Sequence, residues 1–353
     1  MLFCNQLKAI LLIMAVTISS AAIQSAEAAT RGKVIGINQD LLWTEEKEID
    51  PLISLMKEAG VTHIRIPIRW VSVEPTKGKW DFKKADMVVR KLRAARIEIL
   101  GSLMSFPAWA NGTEGKKVEG WYDTYPPEST TEWTAYVKKV VKRYKKDIHF
   151  WEIWNEENGV DFWRPTPDAA LYMKFLKPAY SACKAANPKC VVVMGGLQMN
   201  GIIPNPWSAV KTPDFLQAIY DQGGKPYFDV VNTHPYVLPR ENEGAPYMRK
   251  MTEDTITVMQ KNGDGKKPLW ITEIGCGTSE YDSPDAQAKL LETSFDELYS
   301  LPQVKAIYWF CLRDYDRSIT GPEDSMGVLT IKNEKKPSYF ALKRSAEKHG
   351  GSK

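Results

Sequence analysis

The sequence predicts a single-domain α/β fold, a (β/α)8 TIM barrel, and three observations carry that expectation. Short β-branched runs alternate with longer helix-like stretches, and the alternation repeats eight times, the count that a closed parallel barrel needs. The first run, "VIGINQDLLW", is not followed by a G-x-G-x-x-G phosphate fingerprint, which argues against an open doubly wound sheet. No linker, low-complexity segment or internal repeat divides the chain.

The strand candidates fall in order. "KVIGIN" (33–38), "HIRIPI" (63–68), "IEILGSLM" (97–104) and "IHFWEIW" (148–154) come first. "VVVMGG" (191–196), "DVVNTH" (229–234), "LWITEI" (269–274) and "KAIYWF" (305–310) complete the set. Helices are expected between them, at 128–145, 167–186, 244–262 and 284–300, and in the terminal "KPSYFALKRSAEKHG". At the first of these, "STTEW" resembles a capping box ahead of an amphipathic run.

Before the first strand, "MLFCNQLKAILLIMAV" pairs Lys8 with an apolar run, and "SAEAA" offers a small-residue cleavage site. Residues 1–28 therefore read as a signal peptide cut near Ala28 or Ala29, which implies a secreted or periplasmic protein with a catalytic domain over 29–353. The apolar run is too short, and too soon followed by Ser and Gln, for stable membrane insertion. The 353 residues are 43% hydrophobic and 25% charged, ordinary for a soluble protein. A net charge of +4 with interspersed signs, and no Lys/Arg block, excludes nucleic acid as the expected partner. A monomer is expected.

Four cysteines lie beyond the leader. Export permits disulfides, and "CKAANPKC" makes Cys183 with Cys190 a plausible short loop. Cys276 and Cys311 follow neighbouring strands and either pair or stay reduced. Four scattered histidines and no CxxC give no metal site, so neither metal nor cofactor is expected.

In a barrel the chemistry sits where strands end. Those positions hold Asn38, Asp40, Arg65, Arg69, Ser105, Asn155 and Glu156, then His234, Tyr236, Glu273 and Trp309. The set is rich in carboxylates, amides and aromatics, with no Ser or Cys nucleophile beside a histidine. Two carboxylates on different strands suit glycosidic cleavage, one protonated to release the leaving oxygen and one ionised to attack or to activate water.

"HFWEIWNEENG" (149–159) crowds three glutamates into six positions. Alternation along a strand puts Glu152, Trp154 and Glu156 on one face. With Glu156 at the mouth, Glu152 lies about 13 Å deeper, where a buried partner such as Arg65 would satisfy it. Strict alternation turns Asn155 outward unless the strand bends, and Glu157 reads as a loop surface charge.

"WNE" at the end of strand four and "ITEIG" at the end of strand seven resemble the clan A retaining glycosidases, whose catalytic glutamates end those strands. The nearest resemblance is to glycoside hydrolase family 39 and exopolysaccharide hydrolase-type proteins. It is carried also by "GVTHIRIPIRWVSVEPTKGKWDF", "FDVVNTHPY", "IYWFCLRD" and "SMGVLTIKNEKKPSYFALK", and covers about residues 33 to 348. The resemblance implies Glu156 as general acid/base and Glu273 as nucleophile. It implies Asn155 on the sugar 2-hydroxyl, and Arg65 beneath the nucleophile keeping it ionised. It also implies His234 and Tyr236 orienting nucleophile or sugar, and Trp309 as a sugar platform. Two departures stand out: "NEEN" replaces the usual "NEPN", and "EIGCG" lacks the aromatic that often follows the glutamate.

The expected function is a secreted retaining glycosidase acting on a β-linked poly- or oligosaccharide. A non-catalytic sugar-binding barrel and a transglycosylase are the alternatives. Endo action is favoured because no β-sandwich domain accompanies the barrel. Among the loop aromatics Trp43, Trp109, Trp121, Tyr122, Trp163 and Trp207, two or three are expected to touch sugar. "RW" at 69–70 either lines the cleft or packs beneath it.

Overall fold

The computed structural model describes residues 32–198, 210–237, 244–279, 283–315 and 322–350. The proposed leader (1–28) and Trp207 lie outside the described residues.

The parallel strands are β1 (Val34–Asn38), β2 (His63–Arg69), β3 (Glu98–Met104), β4 (Phe150–Ile153), β5 (Val191–Met194), β6 (Leu197–Gln198), β7 (Val231–His234), β8 (Leu269–Ile274) and β9 (Val304–Phe310). Their order is β5-β4-β3-β2-β1-β9-β8-β7-β6. The ring closes where β5 meets the start of the β7 run. Val193 bridges Val230, and the Asp229 amide donates to the Val192 carbonyl at 2.8 Å. The expected fifth strand stops at Met194, and a short segment beyond Gly195 and Gly196 makes nine strand segments of eight barrel positions.

Helices Glu46–Glu58, Lys83–Ala94, Thr131–Arg143, Ala169–Ala186, Thr212–Asp221, Ala245–Lys261, Pro284–Tyr299 and Pro337–His349 cover the outside. Asp168 and Ser283 cap two of them, their side-chain oxygens accepting from amides of the first turn. The capping box read at 129–132 is not formed. Thr130 is the N-cap residue with φ −91° and ψ 2° and makes no side-chain cap, because its backbone has already turned helical. Among the described residues no helix is long and apolar enough to cross a membrane.

Alternation sorts the strand side chains into two layers. Ile35, Ile64, Ile66, Trp151, Ile153, Val192, Ile271 and Ile307 pack outward against the helices. Leu100, Phe150, Val191, Val193, Val230, Trp270, Ala306 and Tyr308 fill the barrel floor. Above that floor the inward positions turn polar, and these carry the site. All four described cysteines are buried thiols, so neither of the two possible disulfides is formed.

Candidate active site

Arg65 is the hub. It faces inward from β2, and its guanidinium reaches four partners. Nε donates to Glu152 Oε2 at 2.5 Å and Nη1 to Glu273 Oε1 at 2.5 Å and to Asn38 Oδ1 at 3.2 Å. Nη2 donates to Asn155 Oδ1 at 2.7 Å. Burial alone would lower the pKa of Arg65, but the carboxylates of Glu152 and Glu273 outweigh it and raise the pKa, so the charge is permanent.

Glu152 is fully buried and answers the first question raised by "HFWEIWNEENG". Besides Arg65 it accepts from Asn232 Nδ2 at 2.6 Å and from Thr272 Oγ1 at 2.7 Å, both on Oε1. A buried carboxylate with this many donors is structural, as its depth predicted.

Strand β4 stops at Ile153, and the chain then leaves regular geometry. Trp154 has φ +77° and Glu156 φ +51°, left-handed values that non-glycine residues seldom adopt. This bend, which alternation could not reveal, turns both Asn155 and Glu156 toward the mouth. The Glu156 amide is fixed by the Gly196 carbonyl at 3.0 Å.

A second irregularity serves Glu273. Ile271 pairs with Ile307 and Ile274 with Trp309, so three steps along β8 match two along β9. The extra residue is a bulge, and it brings the neighbours Thr272 and Glu273 to the same interior. Tyr236 donates its hydroxyl to Glu273 Oε2 at 3.0 Å. Burial raises the pKa of Glu273, opposed by the charges of His234 and Arg65, so desolvation outweighs the expected Arg65 effect. Burial also holds His234 neutral, at about 4, so above that pH the opposition comes from Arg65.

His234 sits between the two layers. Nδ1 is 2.9 Å from Glu156 Oε1, and Nε2 is 2.8 Å from Thr272 Oγ1. The room for the ring comes from Gly196, where a Cβ would lie 1.9 Å from Nε2. The proton positions follow by elimination. Thr272 has one hydroxyl proton, and its shortest acceptor is the ion-paired Glu152 at 2.7 Å. Thr272 therefore accepts from His234 Nε2–H, which leaves Nδ1 as a lone pair in a neutral ring. A lone pair facing Glu156 Oε1 at 2.9 Å is satisfied only by a protonated carboxyl. The relay thus favours a proton on Glu156 while Arg65 favours charge on Glu273.

Glu156, His234 and Glu273 offer three ligand atoms within 4.8 Å of one another. The group has the donor set to grip a small cation, and the same atoms have the chemistry to transfer a proton or to attack.

Two sequence expectations are corrected. Trp309 faces the helices, fully buried, with its indole N–H on the Met326 carbonyl at 3.1 Å, and cannot meet a sugar. Its neighbour Phe310, half-buried, shares the inward face with Tyr308 and precedes the cis peptide to Cys311. The inward-facing aromatic at the end of β9 is therefore Phe310, one residue later than read. Glu157 is not a surface charge but fully buried, and neither carboxyl oxygen has a hydrogen-bond partner among the described residues. Trp163 packs in the core, whereas Trp43, Trp121 and Tyr122 are exposed.

The sequence reading missed Thr272 and Asn232. A polar residue inside an apolar strand was the available signal, since "NTH" and "ITE" both carry one at an inward position.

Comparison with known proteins agrees with this architecture. Residues 42–212 match the model of glycosyl hydrolase family 10, a span that includes Glu156 and ends before Glu273. A β-galactosidase of Lactobacillus acidophilus is 28% identical over 153 residues, 38% of this chain and 23% of that protein. A family 39 glycoside hydrolase from the gut symbiont Bacteroides cellulosilyticus WH2 superposes with a TM-score of 0.68 at 22% identity. That match covers 89% of this chain and 64% of the other. A monomeric β-xylosidase from Caulobacter crescentus CB15 gives 0.71 at 19% identity, covering 89% of this chain and 69% of the other. The chain thus spans about a quarter of the curated relative and about two thirds of these structural ones. The structural matches show the (β/α)8 barrel fold of these glycoside hydrolases, and the family-model match adds sequence similarity over just under half of the chain.

Proposed function

We propose that the protein is a secreted or periplasmic retaining glycosidase that cleaves a β-linked poly- or oligosaccharide within the chain. The observation that carries this reading is the closeness of Glu156 and Glu273, with an oxygen of each inside the 4.8 Å cluster. Retention calls for carboxyls about 5 to 5.5 Å apart, and inversion for about 6.5 to 9.5 Å to admit a water.

In the first step the Glu273 carboxylate attacks the anomeric carbon. The glycosidic C–O bond breaks, and its oxygen takes the proton from Glu156. In the second, water attacks the anomeric carbon, gives a proton to Glu156, and the ester bond to Glu273 breaks. Arg65 and Tyr236 hold the two oxygens of Glu273, and the His234 lone pair favours return of the proton to Glu156. In this reading Asn155 takes the sugar 2-hydroxyl and Phe310 the ring face. The galactosidase and xylosidase relatives support a β-linked substrate.

The test is reducing-sugar release from a panel of β-linked polysaccharides by the wild type and by Glu273→Gln. Release from one or two polymers that disappears in Glu273→Gln is expected, with Glu156→Ala sparing activated aryl glycosides because their leaving groups need no proton. Release that persists in Glu273→Gln, or equal loss on both substrate types in Glu156→Ala, overturns the assignment.

A further inference from the structure

Just outside the polar layer, the turn after β1 carries a tryptophan in an unusual setting. Trp43 is 66% exposed, yet it is held firmly. The Arg69 guanidinium lies over its ring, 4.3 Å from the centroid, and is ion-paired to Asp40. Asp40 is itself fixed, with Oδ1 accepting from the Leu42 amide at 3.1 Å and its carbonyl accepting from Thr44 Oγ1 at 3.0 Å. The Trp43 amide closes the turn onto the same carbonyl at 3.3 Å. One face of the indole is thus backed by a planar cation, and the exposure belongs to the other.

A single exposed apolar side chain needs no explanation. An exposed indole whose rotamer is locked by a stacked arginine, at the strand-end face of the barrel, does. Locking removes the ordering cost that a ligand would otherwise meet. Asp40 compensates the charge of Arg69, so the ledge presents an apolar plane with no net charge. This suits the CH face of a neutral pyranose.

Position gives the ledge a side. Asn38, which ends β1, donates to the Thr272 carbonyl at 2.8 Å and so touches the backbone next to Glu273. Trp43 is five residues further on, at most about 17 Å of extended chain. β1 is separated from β8 by β9 alone, but from β4 by both β2 and β3. The leaving group departs beside Glu156, so the part of the sugar chain that stays with Glu273 runs toward β1.

We infer that Trp43, backed by Arg69 and Asp40, is a distal subsite on the glycone side, stacking a neutral pyranose beyond the unit attached to Glu273. This inference rests on the proposed glycosidase reading and deepens it, because a chain that reaches Trp43 carries more than one unit on that side of the cut.

The test uses the full-length protein carrying Glu273→Gln, which binds without turnover, and calorimetric titration with four probes: the hexasaccharides of β-linked xylose, glucose (1,4 and 1,3) and mannose. At least one binds, Trp43→Ala in that background weakens it about tenfold, and Trp43→Tyr recovers most of the loss. Equal affinity with and without the indole overturns the inference, as does failure of all four probes to bind. The two readings fail separately. Hydrolysis that depends on Glu273 but keeps its chain-length preference in Trp43→Ala removes the subsite and leaves the glycosidase. Binding that depends on Trp43 without hydrolysis that depends on Glu273 does the reverse.

Discussion

Replacing Glu157 with glutamine should make the protein less sensitive to alkaline pH. The Glu157 carboxyl is fully buried with no hydrogen-bond partner among the described residues. Tyr172 is nearby, but its one hydroxyl proton goes to the Ile153 carbonyl at 2.8 Å. Burial pushes the pKa of Glu157 well above the carboxylate range, the residue's own amide and Tyr172 oppose it, and the charges of Glu152 and Glu156 add a smaller upward push. The fold therefore favours the neutral form of this carboxyl. In the unfolded chain it ionises near pH 4.5. Between that pH and the raised native value, unfolding releases one proton.

The sign follows. The stabilising difference is complete below about pH 4.5 and is lost as pH rises, at about 1.4 kcal/mol per pH unit. Glutamine has nearly the same shape and no titration. As pH rises from 5 the wild type should lose stability relative to Glu157→Gln, at a slope of up to about 1.4 kcal/mol per pH unit, with the two close together near pH 4.5. Glu273, also raised, contributes a slope of the same sign to both proteins, and it cancels in the difference. Urea melts at pH 5, 6, 7 and 8 measure this directly, and melting temperatures substitute if unfolding is irreversible. Parallel stability curves for the two proteins would refute the reasoning, since they would mean that Glu157 is ionised in the fold and has a partner.

Two further outcomes test the relay. Thr272→Val keeps the shape but leaves His234 Nε2 and one Glu152 oxygen short of a partner, so turnover of unactivated substrates should fall about tenfold or more while aryl glycosides lose less. Proportionate loss on both would contradict the proton assignment on Glu156. Gly196→Ala drives a methyl into the space of His234 Nε2, 1.9 Å away, and should cost about 1–3 kcal/mol of stability and displace the ring. A variant that matches wild type in both melting temperature and pH–rate profile would show that the ring has room to move.

The regular parts of this molecule were legible because they obey a period. Strands β1 to β4 and β7 to β9 fall within a few residues of the β-branched runs, and inward Arg65 and Glu152 met as their depth required. What escaped was each place where the period breaks. Positive φ at Trp154 and Glu156 turned Asn155 inward against alternation, and the β8 bulge admitted Thr272 beside Glu273. The inward aromatic ending β9 was misread by one position, because the resemblance implied an aromatic there and "YWF" offers three in a row. Glu157 was misread for a different reason. A second glutamate after "WNE" looks solvated unless one knows that Gly195 leaves a hole for it, where a Cβ would lie 1.9 Å from the carboxyl oxygen.

The extra residue in β8 bears on any attempt to move this site elsewhere. A designer who copied Arg65, Glu156, His234 and Glu273 onto an idealised barrel of eight smooth strands would keep the ingredients and lose the arrangement. Without the bulge, Thr272 and Glu273 would point to opposite sides of the sheet. The graft would then carry either an anchored histidine or an inward Glu273, never both. Transplanting the chemistry means transplanting the backbone defect first, and accepting the lower regularity that comes with it.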